Sequence, residues 1–154
     1  MTPFAHTPAA EPHKPRLSCE AEIVLALAAT SISFTSCLEE ESERWLRVMR
    51  LHGQVGNTLQ ALGVGEAPLE ATAQSRTLRL RSRRDGNDPV QVVCREAYKF
   101  AAGRGSEVVA TPDVLFGVLK VYGRHFDRVL YCRGTTRDEL LERLAERVEA
   151  ETAS

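Results

Sequence analysis

From Ser18 onward, apolar residues recur at steps of three and four positions, which is the period of one face of an α-helix. Each run of this kind predicts a helix with its apolar stripe turned inward. The first stripe is Ile23, Ala26, Leu27, Thr30 and Phe34, and the second is Val90, Val93, Cys94, Ala97, Phe100 and Ala101. The others are Val114, Leu115, Val118 and Leu119; Phe126, Val129 and Leu130; and Leu140, Leu141, Leu144 and Val148. The pattern therefore predicts an all-α protein.

Capping residues and prolines mark where these helices begin and end. Asp88-Pro89 and Thr111-Pro112-Asp113 each combine an N-cap residue with a proline in the first turn, and Thr136 with Glu139 forms a capping box. Gly103-Arg104-Gly105 lies where the second helix must stop. Because these glycines follow a helix, and no lysine followed by serine or threonine comes after them, they end the helix and do not form a phosphate-binding loop.

Two segments lack the helical period. Residues 1–17 hold four of the seven prolines, which predicts a flexible tail. Residues 70–88 form a basic linker with five arginines: Arg76, Arg79, Arg81, Arg83 and Arg84. This linker is either solvated or a basic strip for acidic peptides or nucleic acid. It lacks the interleaved aromatic residues on which single-stranded bases stack.

The composition argues against several classes of function. Twenty basic and 21 acidic residues among 154 give a net charge of −1, so no overall field attracts nucleic acid or a membrane. No apolar run approaches the ~20 residues of a membrane span, and the start lacks the basic-then-apolar order of a secretory signal. A single cytoplasmic domain is therefore expected.

The residues that could support catalysis or metal binding are dispersed along the chain. The four cysteines form no C-x-x-C pair, and Cys94 and Cys132 fall on apolar helical positions, which predicts buried structural thiols. His52 and His125 have no nucleophile at a recognisable spacing. We therefore expect neither an enzyme nor a bound metal or other cofactor.

The two halves of the helical region share an apolar register. With an offset of 71 positions, LQALGVGEAPL aligns with LYCRGTTRDEL, and Gly63 falls on Gly134. Carried back without gaps, the same register places Trp45 on Phe116. The halves therefore predict one four-helix unit that has been duplicated.

The order of these helices resembles the Clp repeat, two copies of which form the N-terminal domain of the Clp unfoldases. The second half carries the resemblance best, in VQVVCREAYKFAAGRG, EVVATPDVLFGVL and VLYCRGTTRDEL, and the first half is a more distant match. The resemblance covers residues 18–150, with repeat one at 18–69 and repeat two at 89–150. It implies two pseudo-symmetric four-helix repeats in one compact all-α domain.

The resemblance also implies a function. In the family this domain binds adaptors and substrate proteins and passes them to the unfoldase ring. The present sequence contains no Walker motif, so we expect a free-standing protein-interaction module, or a piece of a longer unfoldase, without ATPase activity of its own. Its partners would be a Clp-type unfoldase, its adaptors or its substrates. The alternative is a nucleic-acid-associated or regulatory helical protein that uses the arginines between Arg76 and Arg84.

Candidate binding residues lie at the start of the second helix of each repeat. ClpC-type domains carry T-E-H there, and the glutamate is linked to recognition of arginine-phosphorylated clients. The corresponding residue is Glu41 in repeat one and Pro112 in repeat two. The candidates are the acidic residues of LEEESERW with the neighbouring tryptophan, and the residues that flank the proline: Glu40, Glu41, Glu43, Trp45, Thr111 and Asp113.

The segment LEEESERW and its tryptophan each allow two interpretations. LEEESERW is either an exposed acidic first turn that complements the helix macrodipole or an acidic face that docks a basic partner. Trp45 is either a core residue or a partly exposed anchor of an interface.

Overall fold

The computed structural model describes residues 14–35, 37–65 and 88–153, without the side chains of residue 148 and residues 150–153. Seven helices run through this part of the chain: α1 (Cys19–Ile32), α2 (Leu38–Met49), α3 (Gly53–Ala61), α4 (Pro89–Gly103), α5 (Thr111–Tyr122), α6 (Arg124–Cys132) and α7 (Arg137–Ala153). Two short strands, β1 (Arg16–Leu17) and β2 (Val108–Val109), pair in parallel. The described chain is therefore mostly helical, and the all-α prediction is confirmed at that level.

Some of the predicted segments lie outside the described residues. These are the tail up to residue 13 and most of the basic linker, with all five of its arginines. Strand β1 lies in the predicted flexible tail, yet it pairs with β2, and the Ser18 amide donates to the Val109 carbonyl at 2.9 Å. This pairing fixes the chain before α1 beside the turn that precedes α5.

The starts of α4 and α7 follow the predicted caps. Asp88 Oδ1 accepts from the Val90 amide at 3.1 Å, and Thr136 Oγ1 accepts from the Glu139 amide at 3.1 Å. Each cap satisfies an amide that has no partner inside its helix. Helix α4 ends at Gly103, as predicted.

The start of α5 differs from the prediction by one residue. Thr111 is the first helical residue, and Ala110 is the N-cap, whose amide donates to Asp113 Oδ2 at 2.9 Å. The threonine side chain instead faces the start of α3, where Gly53 has a φ of +70°. A Cβ at Gly53 would lie 2.6 Å from Thr111 Oγ1. Both the backbone angle and this close approach require glycine.

Helix α5 is the centre of the described fold, because α1, α2, α3, α4 and α6 all pack against it. In addition, α2 packs on α6, and α3 packs on α7. The largest fully buried side chains include Trp45, Met49, Leu115, Phe126 and Leu130. Each large apolar side chain contributes roughly 1.5–3 kcal/mol by burial, so this core dominates the stability of the fold.

The stripes predicted for α5 and α6 are confirmed, because every member is buried: Val114, Leu115, Val118, Leu119, Phe126, Val129 and Leu130. In α4 the stripe is buried apart from Cys94 and Phe100, which are partly exposed. In α7, Leu140 and Leu144 are buried and Leu141 is partly buried, while the Val148 side chain lies outside the part that the structure describes. The second half therefore folds as its apolar period indicates.

The stripe predicted for α1 is wrong. Ile23 and Leu27 are 39% and 44% exposed, and Phe34, just beyond the helix, is 79% exposed. The buried face comprises Ala21, Val24, Leu25, Ala28 and Ile32. Because α1 is apolar on nearly all sides, steps of three and four fit two of its faces, and the period cannot select between them.

The third helices of the two halves end in the same way. Helices α3 and α6 are followed by turns in which Gly63 and Gly134 have φ values of 85° and 90°. The residue after each glycine donates its amide to a carbonyl five residues back, at 3.0 and 3.1 Å. Helix α5, in contrast, begins two positions later than the offset of 71 requires. When α2 and α5 are aligned at their first residues, Trp45 corresponds to Val118 and not to Phe116.

Candidate protein-binding surfaces

The acidic face at the start of α2 consists of Glu39, Glu40, Glu41 and Glu43. Three of these residues are in the first turn, where carboxylates interact favourably with the positive end of the helix macrodipole. Glu40 is only 4% exposed, and its carboxylate lies 3.8 Å from the Arg44 guanidinium. The other three are partly exposed. The acidic residues therefore do not form one open surface.

Two arginines, Arg128 in α6 and Arg133 directly after it, contact the same face. Arg128 Nη1 donates to Glu39 Oε2 at 2.6 Å, in a pair whose side chains are 62% and 41% exposed. Arg133 Nη2 lies 3.1 Å from Glu43 Oε1, in a pair that is only 13% and 21% exposed. The acidic face is therefore largely neutralised within the chain. A basic partner would have to displace these arginines.

Trp45 and Glu41 belong to one hydrogen-bonded chain. Trp45 Nε1 donates to Tyr122 Oη at 3.1 Å, and Tyr122 Oη donates to Glu41 Oε1 at 2.7 Å. Trp45 is fully buried and Tyr122 is 3% exposed. Trp45 is therefore a core residue whose polar edge is satisfied by α5, and not an exposed anchor.

Thr111 and Asp113 are also buried, at 2% and 0% exposure. Arg104 binds the Asp113 carboxylate through two nitrogens: Nε donates to Oδ1 at 3.1 Å, and Nη2 donates to Oδ2. Together with the bond from the Ala110 amide, these contacts satisfy a carboxylate that burial would otherwise penalise. Both residues therefore shape the turn before α5 from inside and present no side chain to a partner.

A cleft of about 500 Å³ opens beside this turn. Apolar side chains from β2, α5 and α7 line it: Val108, Pro112, Phe116, Leu141 and Leu144. Gln54 of α3 lines it from the first half, and Arg104 and Glu149 are its charged lining residues. Concave, mostly apolar surfaces with a few polar groups are typical binding sites.

The sequence pattern does not predict this cleft. Phe116 lies on an apolar helix position, yet its ring is partly exposed and packs at a tilt against Phe100, with 5.4 Å between ring centroids. Val108, which is 41% exposed, comes from a strand that the helical period does not predict. The two β-branched valines of EVVATP favour a strand at this position. The cleft also requires α7, which lies about thirty residues later in the chain.

Two potentially reactive side chains of α4, Cys94 and Tyr98, have raised pKa values. Burial raises the pKa of the Cys94 thiol, and it also raises the pKa of the Tyr98 hydroxyl, over whose ring Lys14 Nζ lies 5.4 Å from the centroid. Cys132 is exposed, so the prediction of a buried thiol is wrong there, because the chain leaves the core at the end of α6. No cluster of His, Cys, Asp and Glu suited to a metal ion occurs among the described residues.

No protein-family model matches the sequence, and no curated protein matches it. The resemblance to the Clp repeat therefore depends on the order of the helices and on the quoted motifs. Over residues 14–35, 37–65 and 88–153, none of the helices combines the length and the apolar character needed to cross a membrane.

Proposed function

We propose that this chain is a protein-interaction module similar to the N-terminal domain of the Clp unfoldases. Its partners are adaptors, substrates or an unfoldase of that machinery, and it has no catalytic activity of its own. The observation that supports this best is the cleft of about 500 Å³, because it leaves apolar side chains open to a partner. Contiguous exposed apolar surface, unlike single exposed residues, marks interaction sites.

The helix contacts support two pseudo-symmetric repeats in this proposal. The second helix of the first half, α2, packs on α6, the third helix of the second half. In exchange, α3 packs on α5, and the first helices α1 and α4 contact each other. A twofold relation between the halves accounts for these reciprocal contacts. The matching turns at Gly63 and Gly134 add to this support.

The exposed face of α1 is a second apolar surface that fits a binding role. Ile23 and Leu27 lie one helical turn apart, and both are more than a third exposed. Leu38, at the start of α2, is 44% exposed. A helix with this much apolar surface on its outer side is unusual unless a partner covers it.

A tagged pull-down from the native host at moderate salt, read by mass spectrometry, tests the proposal. We expect enrichment of a Clp unfoldase, its peptidase or its adaptor with the unaltered chain and loss of that enrichment with Val108→Lys. Leu51→Lys is the matched control, because Leu51 is an apolar residue that is 53% exposed and does not line the cleft. Absence of every Clp component, or equal capture by all three proteins, would contradict the proposal.

A further inference from the structure

Among the residues that the structure describes, β2 has one edge that no other strand covers. Strand β1 binds the opposite edge, where the Glu107 and Val109 carbonyls accept from the Arg16 and Ser18 amides at 2.9 Å. In a parallel ladder, alternate residues direct their backbone groups to opposite sides. The N–H and C=O of Val108 therefore point away from β1.

The side chain of Ser106 satisfies this edge locally. Its Oγ accepts from the Val108 amide at 3.1 Å and donates to the Val108 carbonyl at 2.8 Å. Both bonds are exposed and join residues only two positions apart. An incoming backbone offers the same donor and acceptor, so it can replace the hydroxyl without leaving a buried polar group unsatisfied.

The open edge borders the cleft. Ser106, Val108 and Ala110 all line it, whereas Val109 between them is fully buried. This alternation is that of a strand with one face toward the core and the other toward a partner. A segment paired with Val108 would therefore lie along the apolar wall that Pro112 and Leu144 form.

Two charged residues limit what can occupy the cleft. Arg104 binds Asp113 through Nε and Nη2, which leaves Nη1 outside that pair, and its side chain is 49% exposed. Glu149 of α7 is exposed and lines the cleft as well. An occupant with one acidic and one basic residue complements this pair of charges.

We infer that the cleft binds an extended peptide segment of a partner protein, which adds to β2 as a third strand at Val108. The segment places alternate apolar side chains against Phe116 and Leu144, an acidic residue near Arg104 and a basic residue near Glu149. The inference rests on the proposed function and specifies how the module recognises a partner. Main-chain bonds supply affinity in this mode, and the side-chain pockets supply selectivity.

Peptide titrations of the ¹⁵N-labelled chain, followed by amide chemical shifts, test the inference. The probe is a seven-residue peptide in which valine alternates with threonine between an aspartate at one end and a lysine at the other. A second probe has the reverse order. We expect shifts at residues 106–110 and along α7, and a difference in affinity between the two orders that Glu149→Lys reduces.

The decisive control is the same peptide N-methylated at its central valine. It keeps every side chain but loses a backbone donor and cannot approach a strand edge, so we expect affinity to fall about tenfold or more. Ser106→Ala removes the competing hydroxyl, and we expect it to strengthen binding about twofold to fivefold.

The outcomes separate this inference from the proposed function. Equal binding of the N-methylated peptide, with cleft residues still shifted, overturns strand addition and leaves the cleft as a protein-binding site. Absence of peptide binding overturns the inference alone if the pull-down still loses its Clp component with Val108→Lys. If the pull-down also finds no Clp component, both fail.

Discussion

The acidic face of α2 is prominent in the sequence but closed in the fold, whereas the cleft beside β2 has no sequence signal but is open. The acidic face stands out in the sequence as LEEESERW, yet in the fold Arg128 and Arg133 contact it and its tryptophan lies in the core. The cleft has no sequence motif, yet it is an open apolar surface of about 500 Å³. Charge is visible in a sequence, whereas the partner that neutralises it is not.

The difference has a physical cause. The ion pairs of α2 with Arg128 and Arg133 join residues about ninety positions apart, and the bond between Tyr122 and Glu41 joins residues 81 positions apart. The cleft likewise combines residues from β2, α5 and α7 with one from α3. Helical periodicity describes neighbours within one turn or two, and it cannot report contacts of this kind.

The largest expected effect concerns the wall of the cleft that α3 supplies. Gly53→Ala should lower the free energy of unfolding by about 3 kcal/mol, because it combines a positive φ with a Cβ placed 2.6 Å from Thr111 Oγ1. Gly63→Ala is the control: its φ of +85° is as unfavourable, but no atom lies within 4 Å. We expect Gly63→Ala to lower the free energy of unfolding, measured by urea denaturation, by about 1 kcal/mol. Equal costs would show that α3 and α5 do not approach this closely.

The next effect concerns the turn that carries the cleft. Asp113→Asn should lower the free energy of unfolding by about 2 kcal/mol. The carboxylate of Asp113 is fully buried, and its loss leaves Arg104 without a charged partner. Glu40→Gln on the acidic face is the comparison. Glu40 is also buried, but its carboxylate lies 3.8 Å from the Arg44 guanidinium, so we expect a smaller decrease in the free energy of unfolding. Urea denaturation of both variants measures the difference. A larger loss for Glu40→Gln would show that the buried carboxylate of the acidic face contributes more to stability than Asp113.

A smaller effect tests whether the acidic face is satisfied from inside. Tyr122→Phe removes the hydroxyl that links Trp45 to Glu41, and it should cost about 1.5 kcal/mol. The tryptophan emission should change as Nε1 loses that acceptor, while the fold is retained. An unchanged emission and an unchanged free energy of unfolding would show that the link contributes nothing.

The smallest effect separates the two ion pairs of the acidic face. A double-mutant cycle with alanine at Glu43 and Arg133 should give a coupling energy of about 1 kcal/mol. The more exposed pair of Glu39 and Arg128 should give about 0.3 kcal/mol, because water and salt screen it. Zero coupling in both cycles would mean that the acidic face is available to a basic partner after all.

The sequence predicts most of the second half and less of the first. Asp88, Thr136 and the stripes of α5 and α6 lie where the pattern places them, because caps and amphipathic periods are local properties. The face of α1 is wrong because Ile23 and Leu27 are as apolar as the buried Val24 and Leu25. Local sequence offers no means of choosing between two apolar faces.

The candidate site is predicted less well than the fold. Thr111 and Asp113 lie at the start of α5, as expected, but both are buried, and so is Trp45 within α2. The surface that remains open is built around Val108, in a strand of two residues that has no period of its own. Its partner strand lies about ninety positions earlier in the chain, so only the folded structure reveals the site.

The central claim is that partners bind the cleft and not the acidic face, and amide chemical shifts during titration with the valine–threonine peptide test it most directly. We expect the largest shifts at residues 106–110 and on α7, with residues 39–43 unchanged. Shifts confined to residues 39–43 would contradict the claim.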